Sequence, residues 1–332
     1  MPGNQALGNE APDGEAPGND ALGMGRAVRL DRPRELARVI TLIENGAPEL
    51  RAVIADLATR RPIRARVIGL TGAPGVGKST STGMLIRALR ARGQTVGVLA
   101  IDPSSPFSGG ALLGDRIRMQ EHATDPGVYI RSMASRGHLG GLAWATPQAI
   151  RVLDAAGHDV ILVETVGVGQ AEVDVARLAD TTVVLLAPGM GDGIQAAKAG
   201  ILEVADVFVV NKADREGAQS TVRDLRAMTG MVHSDWRPPI VPTVAVKGEG
   251  SAELVAALDD HAAYLEASGQ LTVRRLARAK DEIEAIALAA VRDRFSRLTG
   301  GARVDALAAR LVAAEIDPYG AADELIAEIS TD

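Results

Sequence analysis

Between residues 65 and 267, short β-branched runs alternate with stretches of helical period. The runs are Arg66–Leu70, Val96–Ile101, Val128–Ser132, Val160–Glu164, Thr182–Ala187, Val207–Asn211 and Ile240–Val244. Apolar strands separated by helices predict a mainly parallel sheet, because each parallel crossover lays a helix against one face. The pattern differs on either side of this block. Upstream, Leu36, Val39, Ile40 and Ile43 fall at i, i+3, i+4 and i+7, and Leu50, Val53, Ile54 and Leu57 repeat that spacing after an Asn45-Gly46 turn. This predicts a helical hairpin with one apolar face per helix. Downstream, Arg274–Leu298 is amphipathic, with Leu276, Ile283, Ile286, Ala290 and Phe295 roughly on one side. Gly300-Gly301 is expected to close that helix, and two shorter ones are expected at about 303–314 and 320–329.

Residues 1–25 contain six glycines and three prolines and no aromatic or β-branched residue. Such a stretch buries too little surface to offset its ordering entropy, so it is expected to be a solvated tail. The chain thus divides into a tail at 1–25, a helical hairpin at 26–62, an α/β domain at 63–268 and a helical arm at 269–332, the last a candidate for self-association.

Composition narrows the chemistry. The 332 residues include no cysteine, which excludes disulfides, thiolate zinc sites and Cys-ligated iron–sulfur clusters. The histidines at 122, 138, 158, 233 and 261 are scattered, without a pair at ligand spacing. A net charge of −6 gives no electrostatic footprint for nucleic acid. No apolar run approaches the ~20 residues needed to cross a bilayer, and the start lacks the features of a secretory signal, so the cytoplasm is the expected compartment. Only 2% of the residues are aromatic, which leaves the core to aliphatic side chains. Of the 36 basic residues only Lys78, Lys198, Lys212, Lys247 and Lys280 are lysines. Each is therefore a candidate for a role that needs a compact ammonium.

The strongest motif is GAPGVGKS, comprising Gly72, Ala73, Pro74, Gly75, Val76, Gly77, Lys78 and Ser79, followed by Thr80. It leaves the strand RVIGL and opens a helix, the setting of a phosphate-binding loop. Its glycines let backbone N–H groups curl around phosphate oxygens at a helix N-terminus. Lys78 is placed to reach the β- and γ-phosphates, and the Ser79 hydroxyl to ligate Mg²⁺. A second motif, Asn211-Lys212-Ala213-Asp214, follows the strand VFVV. Its aspartate can accept both N–H groups of guanine's Watson–Crick edge, a pattern adenine lacks. Glu164-Thr165-Val166-Gly167 ends the strand VILV, Asp102 ends VGVLAI, and Asp115 lies in SGGALLGDRIRM. Acids at strand ends converge on a metal and phosphate region. Val244-Ala245-Val246 occupies the position of a loop that offers backbone N–H to guanine O6, with Val244 where serine is usual.

Together these residues resemble the MeaB/ArgK family, the methylmalonyl-CoA mutase-associated GTPases of the SIMIBI class. The resemblance covers roughly 30–332 and includes AIDPSSPFSGGALLGDRIRM, the stretch from ETVGVGQ to VVNKAD, and DPYGAADEL. It implies a P-loop GTPase fold, a mainly parallel sheet with helices on both faces plus N- and C-terminal helical extensions. It also implies a homodimer that hydrolyses GTP to GDP and phosphate with Mg²⁺, as a chaperone for adenosylcobalamin-dependent methylmalonyl-CoA mutase in cofactor loading and protection. By the family pattern, Lys78, Ser79, Asp102, Asp115 and Glu164 serve phosphate, Mg²⁺ and hydrolysis. Pro188–Lys198 corresponds to a mobile loop, with Lys198 its nucleotide-directed charge. Val168, not Gln, follows Gly167, so slow intrinsic hydrolysis accelerated by a partner is expected. The alternatives are a kinase-like nucleotidase linked to basic-amino-acid transport, and a nucleotide-responsive binding module with negligible turnover. A nickel-insertion GTPase is disfavoured, since the chain has neither cysteines nor clustered histidines.

Overall fold

A computed structural model of the chain describes residues 30, 32–60, 64–103, 120–122, 124–135, 145–165, 171–189, 201–230 and 235–329. The seven expected strands are present: β1 (Arg66–Thr71), β2 (Val96–Pro103), β3 (Val128–Ser135), β4 (Val160–Thr165), β5 (Thr181–Leu186), β6 (Val207–Asn211) and β7 (Ile240–Thr243). They form one sheet in the order β3-β2-β4-β1-β5-β6-β7, and every strand pair in it is parallel. β1 is central, and the chain turns toward β2 on one side of it and toward β5 on the other. Ligands of such sheets bind beyond the carboxyl ends of the strands, where the order reverses.

Alternation along the strands distributes their side chains between two aliphatic cores. On one face Val67, Leu99, Ile161 and Val163 meet α1 (Pro33–Asn45), α2 (Leu50–Arg60), α4 (Thr146–Ala155) and α5 (Ala171–Leu178). On the other, Ile68, Leu70, Val98, Leu162 and Val209 meet α3 (Lys78–Ala91) and α8 (Ser251–Ala267). Phe208 and Val210 pack beside α7 (Ala218–Thr229), while the short helix α6 (Ile201–Val204) leads into β6. The N-terminal hairpin forms as its spacing predicts. Ile40 and Ile43 of α1 are fully buried, a burial that contributes about 1.5–3 kcal/mol for each side chain. Arg131 of the edge strand β3 ties α1 down through Glu44 and Thr41.

The C-terminal arm departs from expectation. Gly300-Gly301 does not end a helix: α9 runs without a break from Gln270 to Val312, about 65 Å at the usual rise. Each interior glycine costs about 1 kcal/mol against alanine, too little to stop a helix whose flanking turns are held. They are held at both ends. Leu307 is buried, and Arg310 makes two hydrogen bonds, of 2.7 and 3.2 Å, to Glu324 of α10 (Pro318–Ile329). The first turns of α9 grip the amino edge of the sheet. Asp180 and Asp206 stand just before β5 and β6. Asp180 accepts the Val67 N–H at 3.0 Å and Arg275 at 2.9 Å, with Arg278 at 3.2 Å. Asp206 accepts the Thr182 N–H at 2.8 Å and a bidentate pair from Arg274, both bonds 2.8 Å. Farther on, Arg151 of α4 holds Glu282 at 2.6 Å. Beyond Glu282, Ile283, Ile286, Leu288 and Val291 are exposed.

Candidate nucleotide site

At the carboxyl edge β1 delivers Thr71 into the loop 72–77, and α3 starts at Lys78. Gly77, which precedes the helix, has φ +95°, and a Cβ there would lie 2.4 Å from Asn211 Nδ2. Both the backbone conformation and the close approach require glycine. Lys78 is buried, and its Nζ donates to the carbonyls of Gly72 at 2.7 Å and Ala73 at 3.1 Å. The ammonium is thus curled over the loop that would cradle phosphates.

Register brings the acid alongside. Glu164 of β4 is level with Leu70 of β1, is 3% exposed, and accepts the Ser79 hydroxyl at 2.7 Å through Oε1. Its Oε2 accepts Thr82 Oγ1 at 2.8 Å. No motif marks Thr82; its i+3 spacing from Ser79 on a helix is the one local signal that points to it. Thr165 Oγ1 bonds Thr71 Oγ1 at 3.2 Å between the same two strand ends.

The NKxD segment is fastened to the phosphate loop. Asn211 is buried at the end of β6 and donates through Nδ2 to the Val76 carbonyl at 2.8 Å. Its Oδ1 accepts Thr243 Oγ1 at 3.2 Å and the Ala245 N–H at 3.1 Å. Lys212 has the left-handed φ of +58°, uncommon for a side-chain-bearing residue, and its Nζ donates to the Gly75 carbonyl at 2.6 Å. One asparagine and one lysine therefore join the phosphate loop, β6 and the segment after β7. Asp214 projects outward, its side chain 42% exposed, with Lys247 Nζ 3.5 Å away. Val244 and Ala245 are buried, whereas Val246 is 77% exposed beside this segment.

The structure thus brings together Gly72–Ser79, Glu164, Asn211, Lys212, Asp214 and Val244–Val246 at one edge. Thr80 is exposed on α3. Ile101 of β2 is level with Thr165, so the backbone of Asp102 continues one residue past the end of β4; its side chain lies outside the described residues. Asp115, Lys198 and Gly167–Gln170 also lie outside them. The oxygen donors present suit Mg²⁺, which usually takes one or two protein ligands and completes its shell with phosphate oxygens and waters. The buried Ser79 hydroxyl and Glu164 carboxylate meet that description. Among the described residues no trio of His, Asp or Glu forms a self-sufficient metal cage, and none is needed for a cation brought in with a nucleotide.

Comparison with known proteins agrees with the geometry. Residues 36–299 match the family model "Methylmalonyl Co-A mutase-associated GTPase MeaB". The chain belongs to this GTPase family. A Pyrococcus abyssi relative is 49% identical over 302 residues, covering 89% of this chain and 93% of its own. The Escherichia coli GTPase ArgK is 36% identical over 255 residues, covering 74% of this chain and 77% of its own. Among solved structures, one named LAO/AO transport system kinase superposes with a TM-score of 0.63 at 26% identity, covering 92% of this chain and 96% of that one. As a member of the MeaB family the chain binds GTP and GDP and is a GTP-hydrolysing enzyme. No helix among the described residues is long and apolar enough to cross a membrane.

Proposed function

We propose that this GTPase serves as a nucleotide-driven chaperone for an adenosylcobalamin-dependent methylmalonyl-CoA mutase, in cofactor loading and protection. The observation that carries the reading is the fastening of the NKxD segment to the phosphate loop, Asn211 on Val76 and Lys212 on Gly75, in a chain whose family is mutase-associated. With that link, the state of the phosphates is coupled to the base-reading loop and to the strands behind it. A mouse mitochondrial relative, 38% identical over 264 residues, carries the name methylmalonic aciduria type A homolog, which supports a link to the same metabolism.

In this reading Lys78 leaves the Gly72 and Ala73 carbonyls for the β- and γ-phosphates, and the loop's N–H groups hold the phosphate oxygens. Asp214 accepts the guanine N–H pair, the segment Val244–Val246 offers backbone N–H toward O6, and Val246 covers the base. Ser79 and Glu164 would hold Mg²⁺, with Asp102 and Asp115 completing the acid set, and a bound cation would supply neutralisation of the phosphate charge. Lys198 supplies a further charge from its loop. Catalysis is positioning and electrostatic stabilisation, with little covalent work for the protein. The exposed apolar residues of α9, among them Leu276, Ile283 and Ile286, support a homodimer formed through the arm at 269–332. The cysteine-free composition suits a reducing cytoplasm.

The test is phosphate release from GTP and from ATP, with and without purified methylmalonyl-CoA mutase. Slow, GTP-selective release accelerated by the mutase is expected. GTP-selective release indifferent to the mutase would remove the partner and leave the enzyme. Phosphate transferred to a protein, with no free phosphate released, would favour the kinase reading that the name of the solved relative suggests.

A further inference from the structure

Ser79 and Thr82 stand three residues apart on α3, so their side chains share one face of the helix. Both meet the same carboxylate, Ser79 at Oε1 and Thr82 at Oε2 of Glu164, at 2.7 and 2.8 Å. Thr82 is completely buried. Its hydroxyl also lies 3.1 Å from the Lys78 carbonyl, the ordinary resting partner of a helical threonine four residues on. One hydroxyl has one proton, and a carboxylate is the stronger acceptor.

We propose that Thr82 is a positioning residue of this GTPase, orienting Glu164 for its metal-side role. The proposal rests on the reading of Ser79 and Glu164 as the Mg²⁺ side of the site. Glutamate has one more rotatable bond than aspartate, and holding it in a single rotamer costs entropy. A buried carboxylate oxygen also needs a donor. The Thr82 hydroxyl meets both needs. With Oε2 held, Oε1 stays directed at the Ser79 hydroxyl. The methyl group has no part in this, so a serine at 82 suffices and a valine does not.

The experiment compares full-length wild type with Thr82→Val, Thr82→Ser and Glu164→Gln. Two readouts are taken: Mn²⁺ affinity of the GDP complex by electron paramagnetic resonance, and kcat and KM for GTP at saturating Mg²⁺. Thr82→Val is expected to weaken Mn²⁺ binding about tenfold and lower kcat about tenfold, the scale of losses behind a metal ligand, with KM changed less than about twofold. Thr82→Ser is expected to restore both. Equal losses in the Val and Ser variants would assign Thr82 a packing role and overturn the proposal. Wild-type Mn²⁺ affinity in Thr82→Val beside a weakened Glu164→Gln would overturn it while sparing the reading beneath. Wild-type affinity in both would remove that reading as well. If circular dichroism shows Thr82→Val unfolded, Thr82→Ala takes its place against Thr82→Ser.

Discussion

The two edges of one sheet use the same residue types to opposite ends. At the amino edge Asp180 and Asp206 are closed by arginines from α9 and by strand N–H groups, a set of partners drawn from the protein itself. At the carboxyl edge Lys78 and Lys212 rest on loop carbonyls, the ends of flexible side chains laid on the backbone that would wrap a ligand. Arginine's rigid fork suits permanent bidentate pairing, whereas lysine's compact charge on a mobile stem can exchange one oxygen partner for another. The near-exclusive use of arginine elsewhere in this chain makes the contrast legible. The amino edge holds the arm to the sheet, and the carboxyl edge gathers the candidate site.

This comparison can be broken. The largest expected effect is on the amino edge. Asp180→Ala leaves Arg278, whose side chain is 8% exposed, buried beside no carboxylate at that position. Breaking such a pair costs about 3–5 kcal/mol, to be read from urea denaturation, while kcat per folded molecule stays close to wild type. A loss of turnover without a loss of stability would show that the two edges are not separate in function.

Next comes the carboxyl edge in mirror image. Lys78→Ala is expected to cut GTP turnover about 100-fold, the scale for removing one positioned charge from a transition state, with an unfolding midpoint near that of wild type. Unchanged phosphate release would mean that Lys78 does not act on the phosphates.

Smaller still is base selection. Asp214→Ala removes a bidentate acceptor, worth about 10–100-fold in discrimination, so competition binding should show the preference for GTP over ATP falling by that factor. ATP affinity itself should hold, since the phosphate loop is untouched.

The smallest effect is a pH dependence. Burial pushes the Asp206 carboxyl up, but the nearby His261 imidazole, its Nε2 3.3 Å away, and the hydrogen bonds from Arg274 outweigh it and hold the group below the usual carboxylate range. A depressed folded value means stability that is fully present above the unfolded pKa of about 3.9 and lost as pH falls through the folded value. Asp206→Asn should therefore cost about 1.5 kcal/mol near neutrality, at the low end for a charged hydrogen bond. Arg274 is 36% exposed, so solvent screens part of the pair. The gap from wild type should close in acid denaturation series below about pH 3.9. A gap that persists there would show that the charge of Asp206 is not its cause.

Much of the site was legible because its parts are local in the chain. The phosphate loop, the NKxD segment and Glu164 each announce themselves within a few residues and at a strand end. Less legible were the joints. Nothing near Asn211 in sequence says that its amide reaches Val76, 135 residues away. Thr82 carried a signal of spacing but none of partner, since Glu164 lies 82 residues further on. Gly300-Gly301 misleads for a related reason: a local breaker carries no information about the contacts of Leu307, Arg310 and Glu324 that sustain the helix beyond it.

By itself the sequence determined the seven strands, the hairpin and the phosphate and base motifs, because period, β-branching and glycine spacing act over a few neighbouring residues. Only the tertiary structure decided that β1 lies between β4 and β5, that Glu164 comes level with Leu70 and within reach of α3, and that Asp180 and Asp206 belong to α9. Strand order and register follow from which apolar faces bury one another best across the whole domain, and that is a sum over distant residues no local pattern contains.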